Sequence, residues 1–582
     1  MKTPADRAAP LVVTAAAAPL VEPAAAARLA GRAAAVPLVA TVAAALLYAA
    51  FVPDLLLDWD PIQFALSLDR FSMPVHQPHP PGYLGFLAVA WAFHAAGMSA
   101  ATSVQAASVA FAAASVGALA FVARRLWGGA AALVAAAAFA THPVTIFYAV
   151  SGESYAAEPL AACLLVALAA AAAGHRPPAA FAAAAPGRLS RAAVAFFLAY
   201  GLSGGIRQGL PIYFAPLAAW VLLRSVRGLP ARAAARAVAV AAGAALAGVV
   251  AWLAPAAALA GGLGEWLRMT LSQHLSLFAA SFSPLLGAGG GMVAANLGAL
   301  GRAAASLSIP AAVAAVLAIP AALRRPSVAT APGRVPLLAL WIVPPLLWFS
   351  AMWLSKPGYL LVVAPGVAVA VGAVLARALP GPRAAPAVAI AIAGAQVALF
   401  LAPPFAWSAH LSPCSLPAIA YGQRTGADAL DAIRAEAAGD PGSIAVVTRY
   451  GGGLSFRAAM MHLPEARVLW LVDRESTGAP VTGVDACEGH GGGTTCVSGH
   501  GFWERLDLPE RAEVRLPPAV RRVVWVGEGP FFDALSGAAR GPAAGVGVRE
   551  VRAGLAGTIR VSDLPPPPEP WRVEIGPYAF IR

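Results

Sequence analysis

The sequence predicts a polytopic α-helical membrane protein followed by a small α/β domain, and three features point there. Of 582 residues, 59% are hydrophobic and 12% charged, with a mean hydropathy of +0.71, whereas a soluble domain carries roughly 25% charged residues. Apolar runs long enough to cross the roughly 30 Å of bilayer hydrocarbon recur as far as residue 402. Acids almost vanish between residues 23 and 402 and return in 403–582, which holds 19 acids and 17 bases.

Residues 1–35 are rich in Ala and Pro and carry Lys2, Arg7, Arg28 and Arg32. They lack the compact charged, apolar and cleavage regions of a signal peptide and read as a disordered cytosolic leader. Residues 36–402 read as the transmembrane domain. Spanning runs lie at 36–54, 102–123, 129–148, 157–174, 237–260, 303–323, 335–354, 358–376 and 385–402, and a kinked pair at 191–207 and 210–223 brings the expected helices to about eleven. The run from Tyr83 to Gly97, about 15 residues where a span needs about 20, reads as an interfacial or re-entrant helix.

Charge then orients the map. With the first segment inside, fourteen arginines between Arg124 and Arg383 fall in inner loops, and only Arg70, Arg207, Arg268, Arg302 and Lys356 fall outside. Cytoplasmic loops favour Lys and Arg in this way. An odd number of spans places residues 403–582 in the extracytoplasmic space, and Asp54, Asp58, Asp60, Asp69, Glu153, Glu158 and Glu265 also come out external. The protein reads as a multi-pass protein of the inner membrane. Its net charge of +12 belongs to the membrane part, because the tail is close to neutral. Bases scattered over short loops are a membrane signature, so the charge calls for lipid as a partner and not for nucleic acid.

Acids beside apolar sequence are costly near lipid and are usually functional. The first outer loop reads Asp58-Trp-Asp60, then Asp69-Arg70, then His79-Pro-Pro-Gly82-Tyr83. The second carries Glu153-Ser-Tyr155-Ala-Ala-Glu158. Five residues apart on a continuous helix, Glu153 and Glu158 would point about 140° apart, so only one can face a given site. Glu153 is the expected site acid and Glu158 a first-turn acid favoured by the helix dipole. Gly201-Leu-Ser-Gly-Gly205-Ile-Arg207 puts a cation at the outer end of a glycine-loosened helix, and Lys356, one of only two lysines, stands outside against the charge bias. Residues 261–302 could form an amphipathic lid around Glu265, Trp266 and Arg268, while His94, His142 and His175 read as helix-end or loop residues.

Asp58-Trp-Asp60 and His79-Pro-Pro-Gly82-Tyr83 resemble the acidic motif after the first helix, and the segment following it, in lipid-phosphate-sugar-dependent glycosyltransferases of the GT-C superfamily, particularly the protein O-mannosyltransferase-like branch. The acidic pair departs from the commoner Asp-Glu form, and Leu84 stands where Pro is usual. The resemblance covers roughly residues 36–376. Glu153 resembles the family's second acidic position, and Lys356-Pro-Gly-Tyr359 resembles the start of a late helix that contacts the lipid-linked phosphate.

The resemblance implies a GT-C-like fold and transfer of a sugar from a polyprenyl-phosphate-linked donor to an acceptor protein, lipid or glycan on the non-cytoplasmic face. Asp58, Asp60 and Glu153 would be the catalytic residues. His79, Tyr83, Glu158, Arg207 and Lys356 would bind substrate, Lys356 and Arg207 at the leaving phosphate. No cofactor is required by the sequence, no metal-ligand spacing stands out, and a divalent metal is left open. The alternatives are a transporter or flippase, disfavoured because no internal repeat and no acid deep within a span is visible, and a non-catalytic envelope-assembly protein.

The tail, 403–582, alternates helix-like and strand-like stretches at 426–438, 443–448, 454–463, 468–472 and 523–526, the pattern of a small α/β domain. Gly451 to Gly453 read as a turn or a phosphate cradle, and Pro565 to Pro568 as a stiff spacer. Cys487 and Cys496 flank a short Gly-rich stretch and are expected to form a disulfide in an oxidising compartment. Cys163 reads as a buried small hydrophobe and Cys414 as a leftover thiol.

Overall fold

Ala-rich sequence is the best intrinsic helix former, and Pro is tolerated in a first turn. The first helix, α1 (Pro23–Ala49), begins accordingly thirteen residues before the apolar run. This corrects the expected disordered leader from residue 23 onward; residues 1–22 lie outside the described part. The computed structural model describes residues 23–73, 77–174, 189–271, 283, 291–306, 309–324, 333–352, 356–379, 381, 383–403, 414–449, 454–471, 485–490, 493–498, 512–527, 548–565, 571–575 and 578–581.

Two short helices follow α1: α2 (Trp59–Asp69) and α3 (Leu84–Ala95). At 1.5 Å per residue, α3 is only about 18 Å long, too short to cross a bilayer unaided. The long α4 (Ala100–Trp127) comes next, then α5 (Gly129–Ala140) and α6 (Pro143–Val150). The single span expected over 129–148 is instead a pair bent by 61°. Pro143 starts a new helix, and His142 Nδ1 accepts a hydrogen bond from the amide of Val144 at 3.1 Å. The break frees carbonyls of α5, and Tyr48 donates its hydroxyl to that of Ala140 at 3.0 Å.

A 3-10 turn, Ser154–Ala157, leads into α7 (Glu158–Ala172). The expected kinked pair is α8 (Arg191–Ser203), the short α9 (Gly209–Tyr213) and α10 (Ala215–Val226), followed by the long α11 (Ala231–Leu259) and α12 (Leu263–Leu271). Helices Gly291–Ser306, Ile309–Arg324, Arg334–Ala351, Ala364–Ala378 and Ala384–Leu401 complete the bundle. Among the described residues, five helices are long and apolar enough to span by themselves, or six counting the bent α5–α6 pair, and the other expected runs lie on shorter apolar helices.

Lipid cannot drive apolar helices together, so close packing of small residues does. A Cβ on Gly201 of α8 would run into the carbonyl of Ala245 on α11, and one on Gly248 into that of Leu198. Leu38, Val39 and Leu46 of α1, with Val240, Leu246 and Val250 of α11, face outward as lipid-contacting positions do.

The tail opens with a helix, Leu416–Ala437, ten residues longer at its start than the sequence pattern suggests, capped by Ser415. Strands β1 (Ile444–Arg449), β2 (Arg467–Leu471), β3 (Asp485–His490), β4 (Gly493–Ser498), β5 (Ala512–Arg515), β6 (Arg522–Val526), β7 (Val548–Arg552), β8 (Thr558–Asp563), β9 (Arg572–Ile575) and β10 (Tyr578–Ile581) form two sheets, one of seven strands in the order β4-β3-β2-β1-β6-β8-β7 and one in the order β5-β10-β9. The parallel core β2-β1-β6 carries the helix Phe456–His462 between β1 and β2. It is the set of apolar strands visible in the sequence. Gly451 to Gly453 and most of Pro565 to Pro568 lie outside the described residues.

Candidate active site

The loops that the charge pattern assigned to one side of the membrane meet at one end of the bundle. Asp58 caps α2, its carboxylate accepting from the amide of Trp59 at 2.8 Å, and Asp60 stands in the first turn of that helix. Glu153 precedes the 3-10 turn at Ser154–Ala157. Lys356 immediately precedes a second such turn, Pro357–Val362. These remote segments converge on one ammonium: Lys356 Nζ donates to Glu153 Oε1 at 3.0 Å, Asp60 Oδ2 at 3.3 Å and Asp58 Oδ2 at 3.5 Å.

Exposure grades the three acids. The side chain of Glu153 is 1% exposed, that of Asp60 24% and that of Asp58 50%. Burial disfavours the carboxylate of Asp60, but the adjacent Lys356, with His79 and Arg207 adding to it, outweighs burial and holds Asp60 below the usual carboxylate range. Glu153 goes the other way: its deeper burial, reinforced by the charges of Asp60 and Asp58, prevails over Lys356 and pushes it well up. Burial alone would lower Lys356, yet the three carboxylates raise it. Within the cluster two neighbouring carboxyls are thus shifted in opposite directions about one cation, Asp60 down and Glu153 up. Opposed shifts of neighbouring carboxyls are how acid and base roles are divided within one site.

His79 lines the same site. Its Nδ1 donates to Gln63 Oε1 at 2.7 Å and stands 3.9 Å from Asp60 Oδ1. Tyr83 packs its ring against Phe64 and His79, with centroids 5.4 and 4.9 Å away. The Pro-Pro-Gly turn between them is held from above by Trp266 of α12, whose Nε1 donates to the carbonyl of Pro81 at 3.1 Å. Of the expected lid, α12 and its exposed Glu265–Arg268 pair at 2.7 Å are described, whereas most of 272–290 lies outside the described residues.

Arg207 and Glu158 form a second constellation. Arg207 Nη1 donates to Glu158 Oε1 at 2.7 Å, with side chains 11% and 1% exposed. The guanidinium lies over the rings of Tyr155 and Tyr359, 4.3 and 4.5 Å from their centroids. Glu158 occupies the first turn of α7 as expected, and its partner is Arg207. Tyr359 edges onto Tyr155 at 5.1 Å and links this pair to the Lys356 turn.

The sequence reading missed Gln63, which holds His79, and Tyr155, which covers Arg207. A signal for Gln63 was present, since it lies three residues after Asp60 on one helix face. Among the described residues, no group of three or more His, Cys, Asp or Glu side chains is arranged to hold a metal ion. Backbone register puts Cys487 of β3 directly opposite Cys496 of β4. Cys163 and Cys414 are buried free thiols.

No family model and no curated protein matches the chain. Among solved structures, ArnT from Cupriavidus metallidurans bound to undecaprenyl phosphate superposes with a TM-score of 0.52 and 14% identity, over 91% of this chain and 99% of that one. The apo state of the same protein gives 0.50 and 14%, over 93% and 98%. The likeness is to ArnT and does not single out an O-mannosyltransferase branch. At such identity it speaks for architecture alone: the chain shares the fold of ArnT, a bundle of apolar helices with a small sheet domain at its C-terminal end.

Proposed function

We propose that this chain is a membrane glycosyltransferase that passes a sugar from a polyprenyl-phosphate donor to an acceptor hydroxyl on the non-cytoplasmic face. The observation that carries this reading is the convergence of Asp58, Asp60 and Glu153 on Lys356. Residues 36–402 would form the catalytic membrane domain and 403–582 an extracytoplasmic α/β domain. ArnT, with the same fold, binds undecaprenyl phosphate in its solved structure, which supports a lipid-phosphate donor here.

In this mechanism Asp60 is the general base. It is ionised at neutral pH because Lys356 holds it so, and a base must be ionised to take the acceptor's proton. The deprotonated oxygen attacks the anomeric carbon, the bond from that carbon to the phosphate oxygen breaks, and polyprenyl phosphate leaves. Lys356 neutralises the departing phosphate as other cationic clamps do. Its most dispensable contact is the one to Asp58, the longest of the three and to the most exposed acid, so Asp58 is the partner it exchanges for phosphate. Glu153, whose carboxyl burial pushes well up, makes the shortest of the three contacts and holds the ammonium in place. His79 and Tyr83 border the acceptor side of Asp60. Arg207 adds to the positive field at Asp60 while Glu158 holds it in place.

The test is release of polyprenyl phosphate by the purified protein in sealed vesicles of known orientation, offered polyprenyl-phosphate pentoses and hexoses with soluble and lipid acceptors. Acceptor-dependent release from one donor, with product on the side bearing the tail, is expected. No release from any donor by correctly inserted protein rules the reading out.

A further inference from the structure

The segment 53–57 between α1 and α2 is irregular, so its backbone groups must find partners outside a helix or ladder. Those partners are side chains, and most of them come from the tail. Leu55 donates its amide to Gln423 Oε1 at 2.7 Å and accepts at its carbonyl from Gln423 Nε2 at 2.8 Å. One side-chain amide thus binds both backbone groups of one residue, as a neighbouring strand would. The next carbonyl, that of Leu56, accepts from His462 Nε2 at 3.0 Å, which fixes the tautomer carrying its proton on that nitrogen. From the membrane side, Gln105 of α4 donates to the carbonyl of Pro53 at 2.7 Å.

Packing follows the same path. A Cβ on Gly426 would stand 2.7 Å from the end of the Leu57 side chain, so the helix Leu416–Ala437 lies close against this segment. The ring of Trp59 meets Phe456 edge-on at 4.9 Å. Leu56, Ile62 and Phe64 share one buried apolar core with Leu430, Ile433, Phe456 and Val524. Asp58 and Asp60 follow directly on the clamped segment. Their distance to Lys356 is therefore set by where the tail holds residues 55–57.

We infer that the C-terminal α/β domain is a working part of the active centre, with Gln423 and His462 as positioning residues that fix Asp60 against Lys356. This rests on the catalytic reading given above. Loss of the clamp lets the start of α2 relax away from the ammonium. Asp60 then keeps the cost of burial but loses part of the charge that offsets it, and its acidity falls. A displacement on the order of 1 Å at a reacting group costs about 10²-fold in rate at most, so a partial release by one substitution is expected to lower kcat about tenfold with little change in the donor KM.

The experiment uses the full chain in nanodiscs and reads Asp60 directly. Labelling of its carboxyl by a carbodiimide, which needs the protonated acid, is followed against pH by mass spectrometry in wild type, Gln423→Ala, His462→Ala and His462→Gln. The expected result is a labelling midpoint about one pH unit higher in Gln423→Ala and His462→Ala. His462→Gln, whose amide can still donate to Leu56, should return towards wild type. A merely structural role would lower thermal stability without moving the midpoint, and an unmoved midpoint in folded Gln423→Ala and His462→Ala protein overturns the inference. Because labelling needs no turnover, a wild type that transfers no sugar, with the shift still present in Gln423→Ala and His462→Ala, condemns the catalytic reading and leaves the clamp standing.

Discussion

Glu153 and Glu158 lie five residues apart, each against a cation from a remote loop, yet the two constellations are built on opposite terms. At Glu158 one acid meets one cation, both are buried, and two tyrosine rings cover the guanidinium. The charges match, which is how a low-dielectric interior tolerates ions, and the pair ties the start of α7 to the turn between α8 and α9. At Glu153 three acids share one ammonium, and the cluster grades from closed to open. Burial pushes Glu153 up while Lys356 holds Asp60 down, so the two acids differ in how readily they carry a proton. A matched pair secures architecture, whereas an unmatched cluster keeps a proton-accepting group available.

The comparison breaks most visibly at Asp60. Asp60→Asn keeps the shape but removes the ionised carboxylate, and kcat is expected to fall by about 10²–10⁴-fold with unchanged thermal unfolding, as general-base loss does. Arg207→Met should do the reverse. It strands Glu158 as a buried unpaired acid at a cost of about 3–5 kcal/mol, so the loss appears first as a lower unfolding temperature and reduced yield of inserted protein. Glu153→Gln sharpens the contrast within the cluster. Burial pushes Glu153 towards its protonated form, which the neutral amide resembles, so kcat should drop by less than about tenfold. A loss at Glu153 equal to that at Asp60 would mean that the two acids do not divide their roles as argued.

The smallest effect lies in the hairpin at one edge of the larger sheet. Directly opposed residues of an antiparallel pair have Cα atoms about 4.5–5.5 Å apart, within reach of a disulfide. Cys487 and Cys496 are such a pair. They are expected to be bonded in protein isolated without reductant, and Cys487→Ser should leave kcat unchanged. Mass spectrometry showing both thiols free would remove the bond from the account.

Much of this was readable from the residues, because both signals are strong. Apolar length and loop charge place the helices, and Asp58, Asp60, Glu153 and Lys356 are conspicuous as charges in sequence that otherwise avoids them. What was not readable depends on distance in space. Nothing around Arg207 or Glu158 reveals that they pair, since their partnership crosses 49 residues and two helices. Gln423 and His462 look like ordinary surface residues of a helical stretch, and only the docking of the tail gives them a purpose. The break at Pro143 was legible as a proline, but the apolar run across it hid the 61° bend. Strands β3 and β7 escaped because Asp-Ala-Cys-Glu-Gly-His and Val-Arg-Glu-Val-Arg lack the apolar runs of buried strands.

The central claim is that Lys356 keeps Asp60 ionised so that it can act as base. The most direct test is the pH dependence of kcat/KM for sugar transfer in wild type, Lys356→Met and Lys356→Arg. Asp60 is held below the usual carboxylate range, so wild-type activity should fall only when pH drops through that lowered value. Removing the ammonium takes away the largest charge opposing burial and leaves only His79 and Arg207, so the acid limb of Lys356→Met should move up by about one pH unit or more, alongside weaker donor binding. Lys356→Arg, which keeps the charge, should hold the limb near its wild-type position. An acid limb that stays in place in Lys356→Met would contradict the account, because Asp60 would then owe its ionisation to something other than Lys356.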